Sequence, residues 1–252
     1  MLFLYRIYQF IIMIPLMLVL TILTSIIVGL GSILFGGRFW GYYPAVIWAR
    51  LMAWLSFVTV SVKGHENISK GTSYVFVANH QGAYDIFAVY GWLGHNFKWM
   101  MKMSLRKIPF VGYACYKAGH IYVDRSTPSG IRRTMDDAER QLSQNMSVVV
   151  FPEGSRTRTG KIAAFKRGAF SLATEFNLPV VPVTIDGSFD VLTRMAGLNF
   201  VNWHAMRLVI HKPIYPTSHS PEDIKTTMNE AYNVIMSALP EKYQGYVKND
   251  DQ

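Results

Sequence analysis

Within SYVFVANHQGAYDIFAVY (residues 73–90), an apolar run is broken by Asn79-His80-Gln81-Gly82-Ala83-Tyr84-Asp85, which places an imidazole and a carboxylate in what otherwise reads as buried chain. A carboxylate on one imidazole nitrogen fixes the tautomer and stabilises the imidazolium, leaving the other nitrogen to take a proton from a hydroxyl. On one helix, five residues at about 100° each would set His80 and Asp85 roughly 140° apart. The pair therefore forms only if His80 sits in a strand-to-helix bend and Asp85 in the first helical turns, reaching back. Gly82 suits that bend, because glycine tolerates the dihedrals of a sharp turn. A capping aspartate beside a surface histidine fits the same spacing.

A second constellation, Phe151-Pro152-Glu153-Gly154-Ser155-Arg156-Thr157-Arg158, also follows a strand-like run and turns through a glycine. Such a turn exposes backbone N–H groups beside a guanidinium, a good cradle for a phosphate. A nucleotide loop is excluded: one residue too many lies between Gly154 and Gly160, and Ile162 stands where the metal-binding hydroxyl belongs. No Gly-x-Gly-x-x-Gly follows a strand, so a Rossmann cofactor site is excluded as well.

The elements that must position these groups read as α/β. Strands are expected at Ser73–Ala78, His120–Val123, Ser147–Phe151, Pro179–Ile185 and Met206–His211, each short, β-branched or aromatic, and bounded by Gly, Pro or polar clusters. Helices fall between them. Ile131, Met135, Ala138 and Leu142 recur at helical spacing, as do Phe165, Ala169, Leu172, Ala173 and Phe176. Ser220-Pro221-Glu222-Asp223 is a helix start, continued by Ile224, Met228, Ala231, Ile235 and Leu239. The alternation predicts a mixed, mostly parallel sheet flanked by helices.

Upstream the texture differs. No charged residue occurs between Arg6 and Arg38, a run of roughly 30 residues where roughly 20 suffice for a helix to cross a bilayer core. A second apolar stretch, residues 42–62, contains Arg50 and the aromatics Tyr42, Tyr43, Trp48 and Trp54. It fits a helix along the headgroup boundary, or one folded back on the first. Residues 1–61 are thus expected to form a hydrophobic helical membrane anchor and residues 62–252 an α/β domain. The net charge of +9 favours an anionic partner. Lys98, Lys102, Arg106, Lys107 and Lys117 gather in one segment suited to anionic lipid. The single Cys115 rules out an intrachain disulfide framework and a cysteine-rich zinc site. His65, His95, His204, His211 and His219 lack metal-like spacing and read as structural.

NHQGAYD (79–85), GHIYVDR (119–125), FPEGSRT (151–157) and LPVVPVTI (178–185) stand in the order and approximate spacing of the four motifs of the glycerolipid acyltransferase family, which the chain resembles over residues 60–215. Within it, the chain looks like the bacterial branch that acylates lysophosphatidic acid to phosphatidic acid. The family pattern is commonly NHxSxxD, and here Gly82 replaces the serine. The resemblance implies that His80 is the general base on the acceptor's sn-2 hydroxyl and that Asp85 orients it. It implies a substrate-binding set of Lys102, Arg125, Glu153, Gly154, Ser155 and Arg156, with Glu153 and Gly154 shaping the turn and Lys102, Arg125 and Arg156 meeting phosphate. Pro179 and Pro182 would shape the acyl channel. No metal and no cofactor is expected; acyl-CoA or acyl carrier protein is the co-substrate.

The partners expected are lysophosphatidic acid, the acyl donor and anionic membrane lipids, with the catalytic domain on the cytoplasmic face of a cell's inner membrane. Nucleic acid is not expected, since the aromatics concentrate in the apolar stretches instead of interleaving with Lys and Arg on a strand face. An acyltransferase or transacylase for another lysophospholipid, or a lipid-binding membrane protein without catalysis, remain the alternatives.

Overall fold

Alternate residues of the central strands enter two different apolar cores, and this is what makes the sheet the middle layer. On β2 (Val75–Ala78), Val75 and Val77 face one cluster while Phe76 and Ala78 face the other. The structure, a computed structural model, describes residues 2–124, 127–142, 146–194 and 199–247. It contains all five strands expected from the sequence: β2, β4 (Ile121–Val123), β5 (Ser147–Val150), β7 (Val180–Asp186) and β8 (Ala205–Ile210). Two more, β1 (Thr59–Lys63) and β3 (Phe97–Lys102), complete a seven-stranded sheet of order β1-β8-β7-β2-β5-β3-β4. Among the strands of the described residues, β7–β8 is the one antiparallel pairing, so the sheet is mixed and mostly parallel, as expected.

One face carries α4 (Tyr43–Leu55) and α5 (Asp85–Trp92), while Ala114 of α6 (Val111–Lys117) packs with Ala118 and with Val28 of the N-terminal helix. The other carries α7 (Pro128–Leu142), α8 (Gly168–Glu175) and α10 (Pro221–Ser237). The expected start of α10 is present, with Ser220 Oγ accepting from the Asp223 N–H. In α7 the inward face differs from the expected one. Gly130, Thr134, Ala138 and Leu142 are buried, whereas Ile131 points to solvent. Small residues at i, i+4 spacing let this helix approach the edge strand β4, and a branched side chain at Ile131 has no place there.

Ahead of the sheet, α1 (Leu2–Tyr8), a π-helical turn (Gln9–Met13) and α2 (Ile14–Phe35) run as one apolar helix, long enough by length and composition to cross a membrane. It is fastened to the rest of the chain at several points. Arg6 and Gln9 donate to the Val201 carbonyl, and Arg6 also reaches Asn202 Oδ1. Trp48 of α4 donates to Thr21, and Gly31 lies under the Trp40 ring of the short α3 (Gly37–Trp40). At Gly37 a side chain would meet the Ala118 carbonyl oxygen at 2.8 Å. Met13, Tyr42, Ala45, Ala49 and Ala53 share one core with the sheet, and β1 crosses the 61/62 boundary expected between anchor and domain.

Lys98 is the exception in the basic segment. It is 2 % exposed, so it does not belong to a lipid-docking face. Its Nζ donates to the Gly37 and Ala118 carbonyls, both at 2.7 Å, placing a cation at the end of α6 and tying α3 to it. Burial, with Arg38 nearby, lowers its pKa to about 8.

Phe76 is completely buried at the centre of β2. Replacement by Ala is expected to cost about 3–5 kcal/mol, read as an earlier denaturant midpoint by tryptophan fluorescence in detergent micelles.

Candidate active site

β2, β3, β4 and β5 run parallel, so the segments following each leave the sheet at one common edge. In open α/β sheets this carboxyl edge is where ligands bind. The bend after β2 carries His80, and Asp85 opens α5. The required geometry is present: His80 Nδ1 lies 2.8 Å from Asp85 Oδ2. The same oxygen accepts the Gly82 N–H at 2.9 Å. Asp85 has no exposed surface and the His80 side chain keeps 15 %. Because a carboxylate only accepts, Nδ1 carries the proton, and Nε2 is the atom left for a substrate.

The segment after β5 holds this bend from the side. Glu153 is 1 % exposed. Its Oε1 accepts the His80 N–H at 2.7 Å and its Oε2 the Ala163 N–H at 2.9 Å. Glu153 therefore braces the histidine's backbone from inside the protein, and its carboxyl is turned away from any substrate that reaches the imidazole. The Thr157 N–H returns to the His80 carbonyl at 3.0 Å. Gly154 adopts φ +80°, and a side chain there would meet Lys166 Nζ at 2.7 Å. Burial, reinforced by the nearby Asp85 carboxylate, pushes the Glu153 carboxyl up to about 8, against the pull of its two amides.

Neighbouring strands lock the remaining sides. The Asn79 side chain exchanges two 2.8 Å hydrogen bonds with the backbone of Ile185 on β7. Gln81 donates to the Gly160 carbonyl at 2.7 Å. That loop is backed by β6 (Ile162–Ala163), which pairs in parallel with β9 (Tyr246–Val247), and by Tyr243, whose hydroxyl donates to Asp190 at 2.6 Å. The His80 ring stacks on Phe151 with centroids 4.0 Å apart, and Phe151 stacks in turn on Trp99 at 5.2 Å.

The expected phosphate-binding residues follow the same edge. Lys102 ends β3, one strand beyond β5 and so about 10 Å from β2. Arg156 is partly exposed, and Arg194 donates to its carbonyl at 2.7 Å. Ser155 lies in the same turn. Arg125 lies outside the described residues. Sequence reasoning missed Phe151, Trp99, Asn79, Lys166 and Arg194 as parts of this site. Asn79 and Phe151 lay within motif-like stretches, whereas nothing in the sequence links Arg194 to Arg156. Among the described residues no group of His, Cys, Asp or Glu could hold a metal.

A protein-family model described as Acyltransferase matches residues 59–186, just over half of the chain, and spans His80, Asp85, Lys102, Glu153 and Arg156. The chain belongs to the acyltransferase family. Among the relatives of this chain, the chloroplastic 1-acyl-sn-glycerol-3-phosphate acyltransferase of Brassica napus is 32 % identical over 176 residues, covering 69 % of this chain and 50 % of that one. The human 1-acyl-sn-glycerol-3-phosphate acyltransferase alpha is 34 % identical over 185 residues, covering 73 % and 65 %. The chain thus spans about half the length of the chloroplast relatives it matches. The crystal structure of the 1-acyl-sn-glycerophosphate acyltransferase PlsC from Thermotoga maritima has the same fold, with a TM-score of 0.67 at 24 % identity, covering 90 % of this chain and 97 % of that one.

The replacement of the pattern's serine by Gly82 has a steric reason in this chain. A Cβ at Gly82 would lie 2.4 Å from Ser188 Oγ and 2.6 Å from the Ser188 carbonyl oxygen. Gly82→Ser must therefore displace the bend that carries His80, and a shift of that kind is expected to lower kcat on the order of 100-fold. Glu153 gives a second expectation. Its folded pKa of about 8 lies above the ordinary 4.5, so the folded state holds a proton that the unfolded chain has already released. The associated stability is full below the ordinary value and is lost as pH rises through about 8. Unfolding free energy should fall across that window in the wild type, and Glu153→Gln should flatten the slope in parallel denaturant titrations.

Proposed function

We propose that the chain transfers a fatty acyl group from a thioester donor, acyl-CoA or acyl carrier protein, to the sn-2 hydroxyl of 1-acylglycerol-3-phosphate, giving phosphatidic acid. The observation that carries this reading is the His80–Asp85 pair, with Nδ1 committed to a buried carboxylate and Nε2 left for substrate, at the same sheet edge as Lys102 and Arg156. The names of the relatives support the choice of acceptor.

In this reaction His80 Nε2 removes the proton from the sn-2 hydroxyl as its oxygen attacks the thioester carbonyl carbon. Asp85 holds the ring and stabilises the imidazolium that forms. The tetrahedral intermediate collapses with cleavage of the C–S bond, and the departing sulfur takes the proton back from His80. Nothing covalent forms on the protein. Lys102, Arg125 and Arg156 hold the acceptor phosphate, with Ser155 and the Gly154 turn beside them, while Glu153 acts through His80. Pro179 and Pro182 border the acyl channel.

The long apolar helix supports a membrane location for an acceptor and product that both reside in a bilayer. In this proposal residues 1–61 act as the anchor and residues 62–252 as the catalytic domain. The domain works on the cytoplasmic face of the inner membrane, against anionic lipid.

The test is acyl transfer from oleoyl-CoA to lysophosphatidic acid in detergent micelles, with lysophosphatidylcholine competing. Wild type should make phosphatidic acid, and His80→Ala should lose about 100- to 10,000-fold in kcat. Equal product from both proteins would remove His80 from the chemistry. Preferred transfer to the choline lipid would keep the chemistry and overturn the acceptor.

A further inference from the structure

The stretch between β3 and β4 leaves the sheet at the catalytic edge and then runs away from it as α6. Its apolar side chains do not pack inward. Met103, Leu105, Ile108, Phe110, Tyr113 and Tyr116 are all exposed. Phe110 is the sharpest case. It is 55 % exposed and sits at φ 60°, ψ −56°, with the Val111 N–H donating to the Pro109 carbonyl across it at 2.6 Å. A bulky L-residue rarely occupies such a tight, positive-φ turn, and here the turn serves to aim a ring outward.

The charges within this stretch of chain are of one sign, although Asp124 and Asp137 border the cavity that Met103, Arg106 and Tyr116 line. No Asp or Glu occurs between Asp85 and Asp124, while Lys102, Arg106, Lys107 and Lys117 are exposed within or beside the apolar set. Arg106 lies over the Tyr116 ring and Lys117 over Tyr113 and Tyr116, the pairing of cation and aromatic side chain found at membrane interfaces. The patch is also continuous with the long helix: at Gly29 of α2, Tyr113 and Ala114 come within 4.0 Å of the position a side chain would take.

We propose that residues 103–116 form a second membrane contact, inserting Leu105, Ile108 and Phe110 into the headgroup–acyl boundary of an anionic leaflet so that the catalytic edge is held against the bilayer. The inference rests on the reading of the acceptor as a bilayer lipid, and it adds that the acceptor is drawn from the leaflet instead of from solution. The long helix accounts for attachment; this segment accounts for orientation.

The experiment uses the full chain with Cys115→Ala as background. An environment-sensitive fluorophore is placed at Phe110→Cys and, as control, at Thr226→Cys on the exposed side of α10. On vesicles containing phosphatidylglycerol the probe at 110 should brighten and become protected from aqueous iodide, and the probe at 226 should not change. Acylation is then measured for Phe110→Glu against wild type. On vesicle-embedded lysophosphatidic acid the variant should lose on the order of tenfold or more, while on a short-chain, water-soluble lysophosphatidic acid it should stay within about twofold. A probe at 110 that remains open to iodide overturns the proposal, as does equal loss on both acceptors or loss on neither. Absence of turnover by wild type on either acceptor would defeat the functional reading, and the fluorescence would still decide insertion.

Discussion

Asp85 sets the terms on which the rest of the site is built. A carboxylate with no exposed surface costs several kcal/mol to bury unless its oxygens are met by donors, and one oxygen here meets two, the Gly82 N–H and His80 Nδ1–H. Both donors lie in the bend ahead of the helix that Asp85 opens. The carboxylate therefore fixes the bend, the ring tautomer and the first turn of α5 together, and no one of the three can move without exposing the cost of the buried charge.

What surrounds the bend is arranged to keep it still. β2 lies between β5 and β7, and each neighbour sends a hold: Glu153 to the His80 N–H from one side, Ile185 to Asn79 from the other. Phe151 lies flat against the imidazole and Trp99 supports Phe151. A base that works on a hydroxyl gains from being held in one orientation before the substrate arrives. The strands provide this more rigidly than a loop-borne site would, which is why the carboxyl edge of a sheet suits the task.

The chemistry was largely legible in the sequence because it is local: His80, Asp85 and the Phe151–Arg158 turn sit in short stretches whose residue types and spacing are sufficient. The strands with apolar alternation were legible for the same reason. β3 was hidden because FKWMMK mixes a buried lysine with large apolar residues, and β1 because TVSVK reads as the tail of an apolar helix. The inward role of Glu153, the contact of Gly82 with Ser188 and the seat of Lys98 between Gly37 and Ala118 all join residues far apart in the chain. Spacing holds no trace of such contacts. Lys98 in particular looked like one more surface cation until the fold closed over it.

The pairing of β6 with β9 has a consequence for how the protein is made. The strand that backs Ala163, and through it Glu153, is contributed by residues 246–247, more than eighty positions later in the chain. A ribosome delivers the apolar helix of residues 2–35 long before it delivers that strand. On the proposed function, the growing chain would meet lipid while the turn beneath His80 still lacks one of its supports, so that arrival at the bilayer comes first and catalytic competence last.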